Sequence, residues 1–567
     1  MYKKDYWFIL ILIAGGCFLG VSCKKDNSNP NQGISYGITG IEPMTAEDGD
    51  TIRIYGIGFR ADIGGNEVNI NNAVAKVVAA SSDELSVVVP AGAKTGTVAV
   101  KTANQTNSFS QPFNIIISIS GDQDSSRTLT PEKLYLLKGD VRMKKGTVLT
   151  IQPGTVILAD KISMAGLTIS DGASIQANGA ADKPIVFTSG RIIGDRNPGD
   201  WKGITLDAGA GSSEDILKYV RIEFAGFHLP YEAGAALRLS RSTGVGKIAY
   251  VQTSYSGGDG FRCDGGTGVT NYLQYLVAFG CAGNDFDISG DARVVAQFIT
   301  GLKDPKYADQ FGADGLLVQS SRPATISNLT LMGPNGLARA ANLGSPSYYL
   351  NQNPDDVLNN YAGRGVHVGG YSALTALAVN GTVQLFNSVI AARWLAGISI
   401  DGSPAWDAYE NGGSVIRRTT VTYTLANFTN TYGHLEQPAR GNCFNPENID
   451  NPNSGFGVFD ITQRQCAVFN THNDTAALQL ATPFVSVSQP NSIYDDLGLW
   501  NMALYKNIAS PVMTPADGSS LLQGASYMDA ELNDNFIDKS PSFRGAFGSA
   551  DWTKSWSNYS PMQTSYN

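Results

Sequence analysis

The feature that most constrains this chain is a strand-sized phrase that returns along most of its length. "GTVLTIQPGTVI" (Gly146–Ile157) is followed by "LTISDGASIQANGAADKPIVFTS" (Leu167–Ser189), "GDWKGITL" (Gly199–Leu206) and "LKYVRIEFAG" (Leu217–Gly226). The pattern recurs in "KIAYVQTSYSGGDGF" (Lys247–Phe261), "TNYLQYLVAFGC" (Thr270–Cys281), "ARVVAQFITG" (Ala292–Gly301) and "PATISNLTLMG" (Pro323–Gly333). It continues in "GTVQLFNSVIAA" (Gly381–Ala392) and "GSVIRRTTVTYT" (Gly413–Thr424). Each unit alternates apolar residues and closes on Gly, Asn or Asp, at intervals of roughly 20–30 residues, the period of a solenoid. One such unit cannot bury its own apolar positions. Coils stacked at roughly 4.8 Å can, because each covers the next. The expected fold is therefore mainly β, a parallel β-helix, and the 63 Gly and 16% charged residues agree with tight turns between strands. Turn Gly and Asn permit the left-handed corners where the chain changes sheet. Asn328 and Asn387, in "SNLTL" and "FNSVI", occupy matching places and are expected to form an interior ladder on corner backbone groups.

Across most of residues 140–400 this part resembles a family of secreted right-handed parallel β-helix proteins of Gram-negative bacteria. The phrases that carry the likeness include "GTVLTIQPGTVI", "GAADKPIVFTS", "GDWKGITL", "YVRIEFAG" and "LVAFGCAGNDFDISGDARVVAQF", with "FRGAFGSADWTKSW" (Phe543–Trp556) near the end. The resemblance implies a fold and an extracytoplasmic location, and no defined activity. The β-helix domain is expected over 117–567. Residues from about 403 to 500, rich in Asn and aromatics, are expected as loop insertions. The closing "WTKSW" (Trp552, Trp556) is expected to cap an open end of the solenoid.

Residues 34–116 read differently, as short strands of alternating polarity separated by turns. "DTIRIYGIGF" (Asp50–Phe59), "NEVNINN" (Asn66–Asn72), "AKVVAASSDELSVVVP" (Ala75–Pro90) and "GTVAVKT" (Gly96–Thr102) predict a β-sandwich. With "ITGIEPMTAEDGD" ahead of them and "SFSQPFNI" behind, they resemble the immunoglobulin-like IPT/TIG family. That resemblance implies a spacer or binding module and no catalytic residues.

The first 22 residues carry Lys3 and Lys4, then an apolar run from Tyr6, and read as a secretory signal peptide. A retained transmembrane anchor is the competing reading. At Cys23 polarity changes in one step to the tether "CKKDNSNPNQG" (23–33). This resembles bacterial lipoproteins exported to the outer face of the outer membrane, which implies lipid on Cys23; Cys17 is the rival attachment point. The expected location is the cell surface, with the outer membrane as partner through the anchor.

A net charge of −9 without a basic patch excludes nucleic acid as a partner. His228, His367, His434 and His472 form no metal motif, and there is no nucleophile elbow, P-loop or dinucleotide fingerprint. Four cysteines beyond the leader pair most simply as Cys263–Cys281 and Cys443–Cys466 in an oxidising compartment. The densest acidic cluster is "GGDGFRCDGG", "GNDFDISGD" and "ADQFGADG", holding Asp259, Asp264, Asp285, Asp287, Asp291, Asp309 and Asp314. Three roles are open to it. These residues can be turn formers beside Gly. Asp259, Asp285, Asp287 and Asp291 can hold calcium. Asp285 and Asp287, on one side of a strand, can serve a polysaccharide lyase or glycoside hydrolase. Tyr348, Tyr349, Trp394 and Trp406 are the candidate sugar-stacking residues, in polar surroundings. Together these features favour a non-enzymatic surface lipoprotein that binds a glycan or other surface macromolecule. The alternatives are a polysaccharide-cleaving enzyme and a structural adhesin that binds protein.

Overall fold

Strict alternation decides the N-terminal part. Ile52 and Ile54, Val68 and Ile70, Leu85 and Val87, and Val98 and Val100 are all fully buried, while Thr51 and Arg53 between them face water. Fully burying one such side chain contributes roughly 1.5–3 kcal/mol. The computed structural model describes residues 36–422 apart from 104, 208–214, 228–233, 305–312, 334–363, 372–377, 392–393 and 395. It also describes 426–430, 456–459, 461–462, 465–466, and 511–566 apart from 512 and 516. The leader, Cys23 and its tether, Tyr348, Tyr349, Asp309, Cys443, His228, His434 and His472 lie outside these residues.

Seven antiparallel strands form the N-terminal unit, and Ala73–Ala80 is shared between its two groups. The unit is the expected immunoglobulin-like sandwich. The strand Asn114–Gln123 then belongs to both domains. Its first residues pair with Thr45–Ala46 of the sandwich, and the rest pair in parallel with Leu134–Met143 of the solenoid. Glu47 adds a contact to Lys138 at 3.3 Å and accepts from the Ser118 hydroxyl.

Beyond this strand the chain winds as a parallel β-helix with three faces. On one face Leu217 pairs with Ile248, Ile248 with Leu273, Leu273 with Ala296, and Ala296 with Ile326. A second face carries Ile222, Thr253, Ala278 and Gly301 in register, and a third carries Leu237, Phe261, Phe286, Leu316, Val366 and Ile398. Their inward side chains form one continuous core, in which the Phe261 and Phe286 rings stack at 5.3 Å. Winding continues through Val415–Arg417, Thr419–Thr422 and Ala426–Asn430, so residues 403–430 add solenoid strands and the helix Ser403–Glu410. The strand Phe456–Phe459 pairs antiparallel to Thr419–Thr422.

The bend between the first two faces falls on one residue per coil: Tyr219, Tyr250, Tyr275, Phe298, Asn328, Asn387 and Arg418. Each has a left-handed φ, between 49° and 57°. Four of the seven are aromatic, a residue class for which this conformation is uncommon. Their rings stack coil on coil at 4.6, 4.5 and 5.0 Å from Tyr219 to Phe298.

The C-terminal segment 511–566 runs lengthwise over this corner as a strap, antiparallel to the direction of winding. Asn387, Gln297 and Gln252 each bond reciprocally to one strap residue, Ser526, Asp538 and Asn558 in turn, at 2.7–3.0 Å. Side-chain amides thereby do what a neighbouring strand's backbone would do. Asn328 donates to the Phe543 carbonyl at 3.0 Å. Trp556 lies edge-on to Tyr219 and Tyr250, and Trp552 edge-on to Tyr275. Two expectations change here. The tryptophans cover a side of the solenoid and not its end, because the aromatic corner is the apolar surface available to them. Asn328 and Asn387 are buried and linked coil to coil through the Ser327 hydroxyl, but the backbone groups their amides satisfy belong to the strap and not to the corner.

Candidate functional site

The third face carries the charged residues. Its outward column reads Arg238, Arg262, Asp287, Leu317, His367 and Ser399, one residue per coil. Alternation sends Phe261, Phe286 and Val366 inward and leaves these side chains outside. Arg238 and Arg262 are direct neighbours of like charge, and carboxylates offset them. Arg238 Nε donates to Asp264 Oδ2 at 2.7 Å, while Arg262 bonds Asp259 and lies 3.2 Å from Asp287.

A second column lines the entry to the same strands. Asp259 Oδ1 accepts the Asn284 N–H at 2.9 Å, Asn284 Oδ1 accepts the Asp314 N–H at 3.0 Å, and Asp314 Oδ1 accepts the Arg364 N–H at 2.6 Å. Each side chain caps the backbone of the next coil. This is the turn role expected for Asp beside Gly, with the bond directed between coils and not back into the residue's own turn.

The upper end of the face gathers His367 between two carboxylates. Nδ1 meets Asp314 Oδ2 at 2.7 Å, and Nε2 lies 3.1 Å from Asp401 Oδ2, outside hydrogen-bond alignment. Arg364 Nε is 3.5 Å from the same Asp401 oxygen. Burial and the Arg364 charge disfavour an imidazolium here, yet the two carboxylates outweigh them and His367 titrates above its ordinary value. Burial raises Asp401, but His367 and Arg364 more than offset this and hold it down to about 2; Asp314 is lowered by the same balance. The carboxylates thus favour the protonated form of His367, and His367 favours their ionised form.

Asp285 and Asp287 do not work together. Asp287 faces Arg262, whereas Asp285 is sealed from water beside Lys303 at 3.1 Å. Burial lifts Asp285 to about 7 against the pull of Lys303, and burial with the nearby Asp259 charge raises Asp287. Nor do the four expected calcium ligands converge. Asp259 and Asp287 face Arg262, and Asp291, beyond the far end of the strand Phe286–Gly290, accepts from Ser321 at 2.5 Å. Among the described residues no group of three His, Cys, Asp or Glu is placed to hold a metal ion.

The cysteines require a correction. Cys263 and Cys281 are free thiols, both buried in the solenoid core, Cys263 at the end of the strand Asp259–Cys263 and Cys281 just past the strand Thr270–Phe279. Burial raises both thiols, Cys281 to about 12. Cys466 lies on the strand Gln465–Cys466, and its side chain, like Cys443, is outside the described residues. Trp394 also departs from expectation: it is fully buried in the solenoid core and presents no binding surface. Trp406, on the helix Ser403–Glu410, is half-buried beside Tyr409, with ring centroids 5.4 Å apart.

Sequence reasoning missed Arg364, Lys303, Asp401 and Asn284, and set His367 aside. A signal was present for two of them. Asn284 repeats the coil position of Asp259 and Asp314, and His367 stands at the outward place of an alternating "VHVG".

Residues 37–117 match the IPT/TIG domain family, and residues 121–216 match the pectate-lyase-like β-helix domain family. The comparison with curated proteins yields no match. An auxiliary nutrient binding protein of Bacteroides thetaiotaomicron VPI-5482 is 27% identical over 15% of this chain and 22% of its own, with a TM-score of 0.14. A second such protein, of Bacteroides ovatus ATCC 8483, is 22% identical over the same shares, also at 0.14. The chain thus spans about a fifth of the length of these structures, and the likeness carries no argument about its site.

Proposed function

We infer that this chain, an IPT/TIG domain continued into a parallel β-helix, binds an extracellular glycan or another surface macromolecule without transforming it. One observation carries the reading: Asp259, Asp264, Asp285, Asp287, Asp314 and Asp401 each have a cationic partner within the protein. A glycosidase needs two carboxyl groups facing the bond it breaks, one of them able to give a proton. Here the two raised carboxyls face no such bond: Asp287 lies against Arg262, and Asp285 is wholly buried beside Lys303. The coils matched to the pectate-lyase-like family, 121–216, precede this charged face, so that likeness supports the fold and not a lyase activity. On this reading Cys23 carries lipid, the sandwich stands as a stem, and the solenoid presents its long side outward from the outer membrane.

The test is to pass the chain lacking residues 1–23 over an array of polysaccharides and to assay each for retention and for new reducing or unsaturated ends. Retention without new ends is the expected result. New ends that disappear in Asp285→Asn or Asp287→Asn would establish the competing enzyme. Retention of no polysaccharide, with capture by a surface protein, would establish an adhesin. Fatty-acid labelling of cells, lost in Cys23→Ala, with protease sensitivity of the intact cell surface, tests the anchor and location.

A further inference from the structure

Lys303 and Asp285 are the most isolated ionisable pair described. Both side chains are completely withdrawn from water, with Nζ 3.1 Å from Oδ1. Asp285 immediately precedes the strand Phe286–Gly290, and Lys303 follows the strand Arg293–Leu302, so the pair closes one coil on itself. Lys303 Nζ is steered to this position by the carbonyls of Cys281, at 3.4 Å, and Gly283, to which it donates. The slot for the carboxyl exists because residue 301 is glycine; a β-carbon there would overlap Asp285 Oδ2. Neither oxygen of Asp285 is met by an aligned hydrogen-bond donor. A buried ion pair needs such bonds to offset its lost hydration. A proton passed across this 3.1 Å contact from ammonium to carboxylate leaves an amine facing a carboxylic acid. Two reactants so held, with water excluded, need no further ordering to react.

We propose that Lys303 and Asp285 condense into an intramolecular isopeptide bond, a covalent staple within one coil of the solenoid. The Nζ lone pair attacks Asp285 Cγ, so that the Nζ–Cγ bond forms. One Cγ–O bond breaks, and the departing hydroxyl takes a proton from Nζ and leaves as water. Nothing is oxidised or reduced, and no co-reactant is required. The staple holds whatever the solenoid binds. Because it is an amide, thiol reductants do not open it.

Peptide mapping of the full chain after denaturation and reduction tests the proposal. Trypsin cleaves at Arg293, between the two residues. Trypsin does not cut after an acylated lysine, so the expected result is one joined species of residues 263–293 and 294–306, lighter by one water than those two peptides together, with the free 263–293 and 294–303 peptides missing. Recovery of both peptides unlinked overturns the proposal. So does a lost water that maps instead to an Asp–Gly step such as Asp264–Gly265. Lys303→Met must restore the missing water, even if that variant is recovered unfolded, and a persistent loss there also overturns the assignment.

Discussion

His367 and Asp314 stand on different coils, with ring nitrogen and carboxylate oxygen 2.7 Å apart. Because His367 is raised, its share of stability is complete below its unfolded value of about 6.5 and is lost as pH rises through the folded value. Asp314 and Asp401 are lowered, so their shares are complete above about 3.9 and are lost only as pH falls through the depressed values. Thermal stability is therefore expected to fall as pH rises from about 6.5 through the raised folded value of His367. His367→Gln should flatten that alkaline slope and cost about 3–5 kcal/mol near pH 6, because it leaves two buried carboxylates short of a cation. An unchanged slope in the variant would refute the assignment.

Gly301→Ala is expected to destabilise the solenoid by about 1–3 kcal/mol, since the added methyl meets the Asp285 carboxyl. Gly266→Ala, with open space at its β-carbon, is the matched control and should be near neutral. Differential scanning fluorimetry of both variants checks the contrast.

The strap should be separable from the coils by a single change. Trp556→Ala removes a fully buried ring that lies against Tyr219 and Tyr250, and should cost about 3–5 kcal/mol. Hydrogen exchange is expected to rise first in residues 511–566 and only later in the inward strands. Uniform exchange across both would contradict the lengthwise docking.

Cys263 and Cys281 are expected to resist alkylation in the folded chain and to react fully in denaturant without any reductant. Burial keeps both thiols protonated, and the thiolate is the reactive form. A non-reducing peptide map that joins the two would overturn the free-thiol description.

The tryptophans should divide by role. Trp394→Ala is expected to lower stability by about 3–5 kcal/mol while glycan retention per folded molecule stays unchanged. Trp406→Ala should lower retention with little effect on folding. The two variants on the same polysaccharide column decide it.

The contrast between Phe286 and Lys303 shows how much of this was legible in the sequence. Phe286 belongs to an alternating strand, and alternation is a local signal that survives any coil length. The sandwich strands are legible for the same reason, although Asn71 and Asn72, read as the end of a strand, form a hairpin turn in which both take positive φ. Lys303 gains its meaning from Asp285, and Asp314 from His367, across insertions of unequal length. No local pattern gives the register that brings them together. The corner was hidden differently. Tyr219 and Tyr250 adopt a conformation that local preference disfavours, held by rings above and below and by Trp556. The paired Asp285 and Asp287 failed because the chain turns a corner at Asp285, and strand alternation begins only after it.

The strand Asn114–Gln123 has a mechanical consequence. Since its backbone is laced to the sandwich at one end and to the first coil at the other, no swivel separates the two bodies there. A pull on the sandwich is delivered as shear along a row of hydrogen bonds, which must fail together before the junction yields. Force on the solenoid is thereby carried to the sandwich as a rigid lever carries it to its pivot.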